Sequence, residues 1–207
     1  MKTIEIPVHV DDQNLVNEIL RVSNQIHSVI TKKLNRRSLD FNYEMLFQNI
    51  KTVLCRWTGY CSVGIPKPQK IKNAYQQFFV ELYNLLLICK NNLPDGALKT
   101  FCGNALYQGK AYRYLGHGGS AHNIDMNEKI IPIYDDIYVS WSKNESNPYF
   151  VSKLKGVMTH LTCEINDNHY GIDLEVFDVS KANEAEIVYP TRKNGITIKY
   201  IRDKSEI

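Results

Sequence analysis

Glu184 and Glu186 stand two residues apart in the run Asn183-Glu184-Ala185-Glu186-Ile187-Val188-Tyr189-Pro190. On a β-strand that spacing points both carboxylates to the same face. Two like charges so placed repel, and the repulsion favours a proton on one of them, which suits a base. A glycosidase needs its carboxylates on opposite sides of the scissile bond, so a same-face pair argues for other chemistry. A plain exposed strand face also carries such pairs. Two further segments have unusual residue types. Arg113 lies within the aromatic stretch Lys110-Ala111-Tyr112-Arg113-Tyr114-Leu115, where an arginine is costly unless paired. Ile137-Tyr138-Val139-Ser140-Trp141-Ser142 ends in a Ser-x-Ser. Taken singly, the first reads as a structural ion pair and the second says little.

Other chemistries lack their signatures. There is no P-loop and no Gly-x-Gly-x-x-Gly. His117-Gly118-Gly119 is like an esterase oxyanion loop, but no Gly-x-Ser-x-Gly elbow accompanies it. The histidines do not have zincin spacing, and Cys55, Cys61, Cys89, Cys102 and Cys163 contain no Cys-x-x-Cys. No metal site is expected. An odd number of cysteines without paired spacing points to a reduced, cytoplasmic setting rather than a disulfide scaffold.

The elements that must carry these residues fall into two textures. Leu15, Ile19, Val22, Ile26, Val29 and Ile30 recur at helical spacing, with Asp11 or Asp12 as the expected cap. Met45, Leu46, Ile50, Val53 and Leu54 predict a second helix. Ile71, Tyr75, Phe78, Phe79, Leu82, Leu85 and Leu86 predict a third, stopping at Asn91, Asn92 and Pro94. From about Tyr107 onward, short Val-, Ile-, Tyr- and Thr-rich runs predict strands at 110–115, 130–133, 137–142, 156–165, 171–176, 184–189 and 195–201. Helices first and strands afterwards is an α+β order. The expected division is a helical region 1–106 and a mixed, mainly antiparallel β core 107–207, together one compact unit.

In this order the arginine, the Ser-x-Ser and the Glu-x-Glu resemble the mono-ADP-ribosyltransferases of the Arg-Ser-Glu class, found among bacterial toxins and phage-encoded transferases. The resemblance covers about 107–202. Tyr114 stands where that family often has glycine, and Trp141 where it often has threonine. The resemblance implies the ADP-ribosyltransferase type of core and a reaction with NAD as co-substrate. Glu186 would bind the ribose hydroxyl and stabilise the oxocarbenium-like transition state, where positive charge develops. Ser140 would orient Glu186, and Glu184 would orient or deprotonate the acceptor. Arg113 would grip the pyrophosphate. Tyr112, Ser142 and Tyr149 would complete the NAD site; Tyr149 or Phe150 would stack on nicotinamide, although core packing explains either as well. The implied partners are a macromolecular acceptor, either protein arginine or an RNA or DNA base, and a neutralising antitoxin or inhibitor. The implied role is that of a toxin, phage or defence effector.

Composition leaves this reading open and narrows the rest. The 207 residues are 43% hydrophobic and 23% charged, too apolar for disorder and too polar for a membrane protein. The N-terminal run shows no secretory signal, and the most apolar window, 78–89, is too short to span a bilayer. Residues 1–100 hold 13 Lys and Arg against 8 Asp and Glu, and residues 101–207 hold 12 against 14. Lys32, Lys33, Arg36 and Arg37 read as a solvated helix end or as a phosphate-contacting patch. Two other classes therefore stay open: a non-catalytic relative that only binds a partner, and a nucleic-acid-binding module using the basic half.

Overall fold

The computed structural model describes residues 12–33, 43–61, 69–116, 138–145, 158–166, 169–179, 185–190 and 196–201. It is an α+β chain, with helices α1 (Asp12–Lys33), α2 (Tyr43–Cys61), α3 (Gln69–Asn92) and α4 (Ala97–Asn104) preceding the sheet. The strands are β1 (Leu106–Tyr107), β2 (Gly109–Gly116), β3 (Tyr138–Ser142), β4 (Met158–Ile165), β5 (Gly171–Asp173), β6 (Glu186–Pro190) and β7 (Ile196–Ile201). Two compact units divide the chain. One is Met1–Val53 with Lys67–Leu85, and the other is Leu54–Pro66 with Leu86–Ile207. The boundaries fall inside α2 and α3, so the last turns of both helices belong with the sheet.

In the first unit the helices form because their apolar residues line up at 3.6-residue spacing. Leu15, Ile19, Val22, Ile26 and Val29 are buried along α1, Leu46, Ile50 and Val53 along α2, and Ile71, Tyr75, Phe78, Phe79 and Leu82 along α3. Each such side chain, fully buried, contributes about 1.5–3 kcal/mol. Polar bonds fix their order: Asn49 Nδ2 donates to Gln25 Oε1 at 3.2 Å, and His27 Nδ1 meets Glu81 Oε1 at 3.0 Å. Met45 departs from expectation. It is 58% exposed, because it falls one residue, about 100° of helix, ahead of the Leu46–Ile50–Val53 stripe.

The second unit holds a seven-stranded sheet in the order β1-β5-β6-β3-β2-β4-β7, with every pairing among the described residues antiparallel. β2 pairs with β4 along its full length, and β3 with β6 along five residues. β2 and β3 meet at one pair, Tyr112↔Ser142. The sheet is thus two well-paired groups, β1-β5-β6-β3 and β2-β4-β7, hinged at that pair. Ala111, Leu161, Cys163 and Ile165 from one group and Trp141, Ile187 and Tyr189 from the other form a common buried cluster.

Three expected elements change. α4 and β1 occupy the end of the helical region, where no separate element is expected; α4 is only eight residues long, and β1 only two. The strand expected over 171–176 ends at Asp173. There Asp173 Oδ1 accepts the Glu175 N–H at 3.0 Å and turns the chain into a 3₁₀ turn, Glu175–Phe177. Phe177 then packs edge-on against Phe101 at 5.3 Å between ring centroids. The strand expected from Glu184 begins at Glu186, because Ala185 has φ 44°, a left-handed conformation that breaks strand alternation. The strand expected at 130–133 lies outside the described residues. Gly171 is required where it stands: a Cβ there would collide with the Ile187 side chain on β6.

Candidate functional site

β6 follows the left-handed Ala185 with Glu186, and two backbone bonds hold this junction from either side. The Lys143 N–H donates to Ala185 O at 2.9 Å, and the Leu174 N–H donates to Glu186 O at 3.0 Å. A side-chain cluster sits on the same two flanking segments. Lys143 Nζ donates to Asp173 Oδ2 at 2.8 Å and also to Glu175 Oε2. Burial pulls the Lys143 amine down, but the hydrogen bonds and charges of Asp173 and Glu175 outweigh it and leave the amine above the ordinary lysine value. The start of β6 is therefore clamped by main chain and by ion pairs.

Alternation along β3 and β6 sets the faces. Val139, Trp141, Ile187 and Tyr189 turn to the apolar cluster, and Ser140, Ser142, Glu186 and Val188 turn the other way. Glu186 is directly opposite Ser142, with Ser140 as its diagonal neighbour. It is the diagonal serine that makes the contact: Ser140 Oγ donates to Glu186 Oε1 at 2.5 Å. Ser142 does something else. Its hydroxyl donates to Asn144 O and accepts the Asn144 N–H, both at 3.0 Å, closing the turn after β3.

Glu186 is 5% exposed, and a carboxylate so deep needs donors. A second one comes from Trp57 in the last turns of α2, whose Nε1–H donates to the same Oε1 at 3.1 Å. Trp57 is itself 7% exposed. Sequence reading missed it, since it falls on the apolar stripe of α2 with Val53 and Leu54. The available signal was chemical: a buried indole N–H needs an acceptor.

The remaining expected site residues fall as follows. Tyr112 is in register with Ser142, so Tyr112, Ser142 and Glu186 form one row across β2, β3 and β6. Arg113 is the next residue on β2. It pairs with Leu161, shares the face of Ala111, and has a buried Nη1. The structure thus joins Ser140 to Glu186 and sets Tyr112 in the row of Glu186, while Arg113 is one residue out of that row and alternates to the other face of β2. Glu184, Tyr149 and Phe150 lie outside the described residues, as do Arg36, Arg37 and the His117-Gly118-Gly119 run. Because Ala185 breaks alternation, the same-face argument for Glu184 and Glu186 does not carry over.

No group of three or more His, Cys, Asp or Glu among the described residues is arranged to hold a metal ion. No described helix is long and apolar enough to cross a membrane. The site is thus a buried carboxylate with one oxygen fixed by a hydroxyl and an indole, on a clamped strand start. That arrangement can hold a negative charge in a set orientation, against a hydroxyl or a developing cation. No family model matches the chain, and neither a curated protein nor a solved structure does.

Proposed function

We propose that the chain is an NAD-dependent mono-ADP-ribosyltransferase that moves ADP-ribose to a macromolecular acceptor, a protein arginine or a nucleic-acid base, and releases nicotinamide. The observation that carries this reading is the Ser140 hydroxyl bonded to Glu186 Oε1 at 2.5 Å across β3 and β6. Two motifs 46 residues apart are in contact, which supports the role the resemblance implies for Ser140. The burial of Glu186 adds support, because a fixed anion out of water acts more strongly on a developing cation.

In this mechanism the bond between ribose C1′ and the nicotinamide nitrogen breaks. Nicotinamide leaves with the bonding electrons, and positive charge develops on the ribose. Glu186 accepts a ribose hydroxyl hydrogen bond and stabilises that charge. Ser140 holds Glu186 in orientation. The acceptor nitrogen then bonds to C1′ and passes its proton to Glu184. Tyr112, in the row of Glu186, is the β2 residue on the NAD side; the pyrophosphate role that the resemblance gives Arg113 falls on the opposite face of β2, so Arg113 carries no step here.

The test uses purified protein, labelled NAD and cell lysate, beside Glu186→Ala. Label transferred by the wild type alone supports the reading, and its release by protease or by nuclease names the acceptor class. Absence of both label and nicotinamide release refutes it.

A further inference from the structure

We infer that Trp57 is a positioning residue for Glu186, so that α2 supplies part of the active site; this rests on the transferase reading above. Two donors from different elements, Ser140 Oγ and Trp57 Nε1, converge on the single carboxylate oxygen Oε1. Two donors arriving from different elements fix more than one donor can. A second donor from the helix sets the carboxylate plane. Trp57 is suited to this: it is buried, its ring is large and stiff, and its N–H has one direction. The indole can donate but not accept. It therefore favours the ionised carboxylate at every pH, whereas a hydroxyl can donate to the anion or accept from the acid. Trp57 thus keeps the anion that the developing ribose cation needs, and holds its orientation through turnover.

The experiment compares wild type, Trp57→Phe, and a variant carrying 3-benzothienylalanine at position 57, which keeps the indole outline and loses the N–H. Nicotinamide release is followed across pH at saturating and limiting NAD. Loss of the N–H lowers kcat about tenfold, the usual scale of one hydrogen bond to a charged group. It leaves KM for NAD within about twofold and moves the acid limb of the profile to higher pH, because a donor to the charged form is gone. The benzothienyl variant reproduces the effect if the N–H is responsible. Unchanged kcat and acid limb in that variant overturn the inference. A rise in kcat also overturns it, since the indole would then be an obstruction.

The second readout needs no activity. The side-chain carboxyl of Glu186, labelled with ¹³C and assigned through Glu186→Gln, is titrated by NMR in the wild type and both variants. An upward shift of its titration in both variants supports the role of Trp57, and no shift overturns it. A wild type that releases no nicotinamide while this shift is present refutes the transferase reading and leaves the Trp57–Glu186 coupling standing.

Discussion

Replacing Lys143 with methionine removes the cation that ties the end of β3 to the end of β5 and the turn after it, and the structure sets the size of the loss. The pair with Glu175 is half in water: the Glu175 side chain is 46% exposed, so this arm is worth under about 1 kcal/mol. The Asp173 side chain is 9% exposed and Lys143 is 23% exposed. Stripping one partner from a fully buried pair costs about 3–5 kcal/mol. With the Lys143 side chain about a quarter exposed, about half of that, near 2 kcal/mol, is expected. The variant should therefore lose about 2–3 kcal/mol in urea unfolding followed by circular dichroism at pH 7. A double-mutant cycle with Asp173→Asn should recover most of it as coupling, and one with Glu175→Gln little. The pH dependence has a fixed direction. The folded Lys143 amine titrates above its unfolded value, so its contribution is complete below the unfolded value, about 10.4, and fades as pH climbs through the folded one. Lys143→Met should flatten that alkaline loss. A stability change below about 0.5 kcal/mol, or equal coupling to both acids, would refute the reasoning.

The other two outcomes are more local. Ser140→Ala removes the hydroxyl donor to Glu186 Oε1 without disturbing the β3–β6 register, so nicotinamide release should fall about tenfold or more, with a stability loss of about 1–3 kcal/mol from the buried carboxylate left short of a donor; full activity would show that the hydroxyl contact is incidental. The Cys102 thiol is pushed far up by its hydrogen bond with Cys89 and by burial, so it holds almost no thiolate, whereas Cys55 is exposed. Iodoacetamide at pH 8 followed by peptide mass spectrometry should find Cys55 modified in the native protein and Cys102 only after denaturation. Equal rates at the two would contradict the burial described.

Much of the fold was legible because it depends on periodicity. The first three helices follow their apolar stripes, and strand runs after Tyr107 reappear as β2, β3, β4, β6 and β7 with ends shifted by one or two residues. What was not legible is set by single contacts. Asp173 turns the chain by binding the Glu175 N–H, and nothing in the alternation of 171–176 announces it. α4 and β1 are too short to build a periodic signal. β1 forms because β5 offers an edge, with Leu106 opposite Ile172 and Tyr107 opposite Gly171.

The candidate site divides along the same line. Ser140 and Glu186 were paired through the family resemblance, and the diagonal placement across β3 and β6 brings them into contact. The argument for Glu184 depended on strict alternation, and one residue, Ala185 at φ 44°, removes its premise. Trp57 was hidden for the opposite reason. Its position satisfies the helical stripe fully, so periodicity explains it and asks for nothing more, although the indole N–H lies in a region where a donor must find an acceptor. That acceptor is 129 residues away in sequence. A buried residue with both an apolar body and a polar tip answers to two constraints, and only the first is written in local spacing. The second appears where another element brings in a buried acceptor. In this chain that acceptor is Glu186, which is why the residue most easily dismissed as packing is the one that links α2 to the carboxylate.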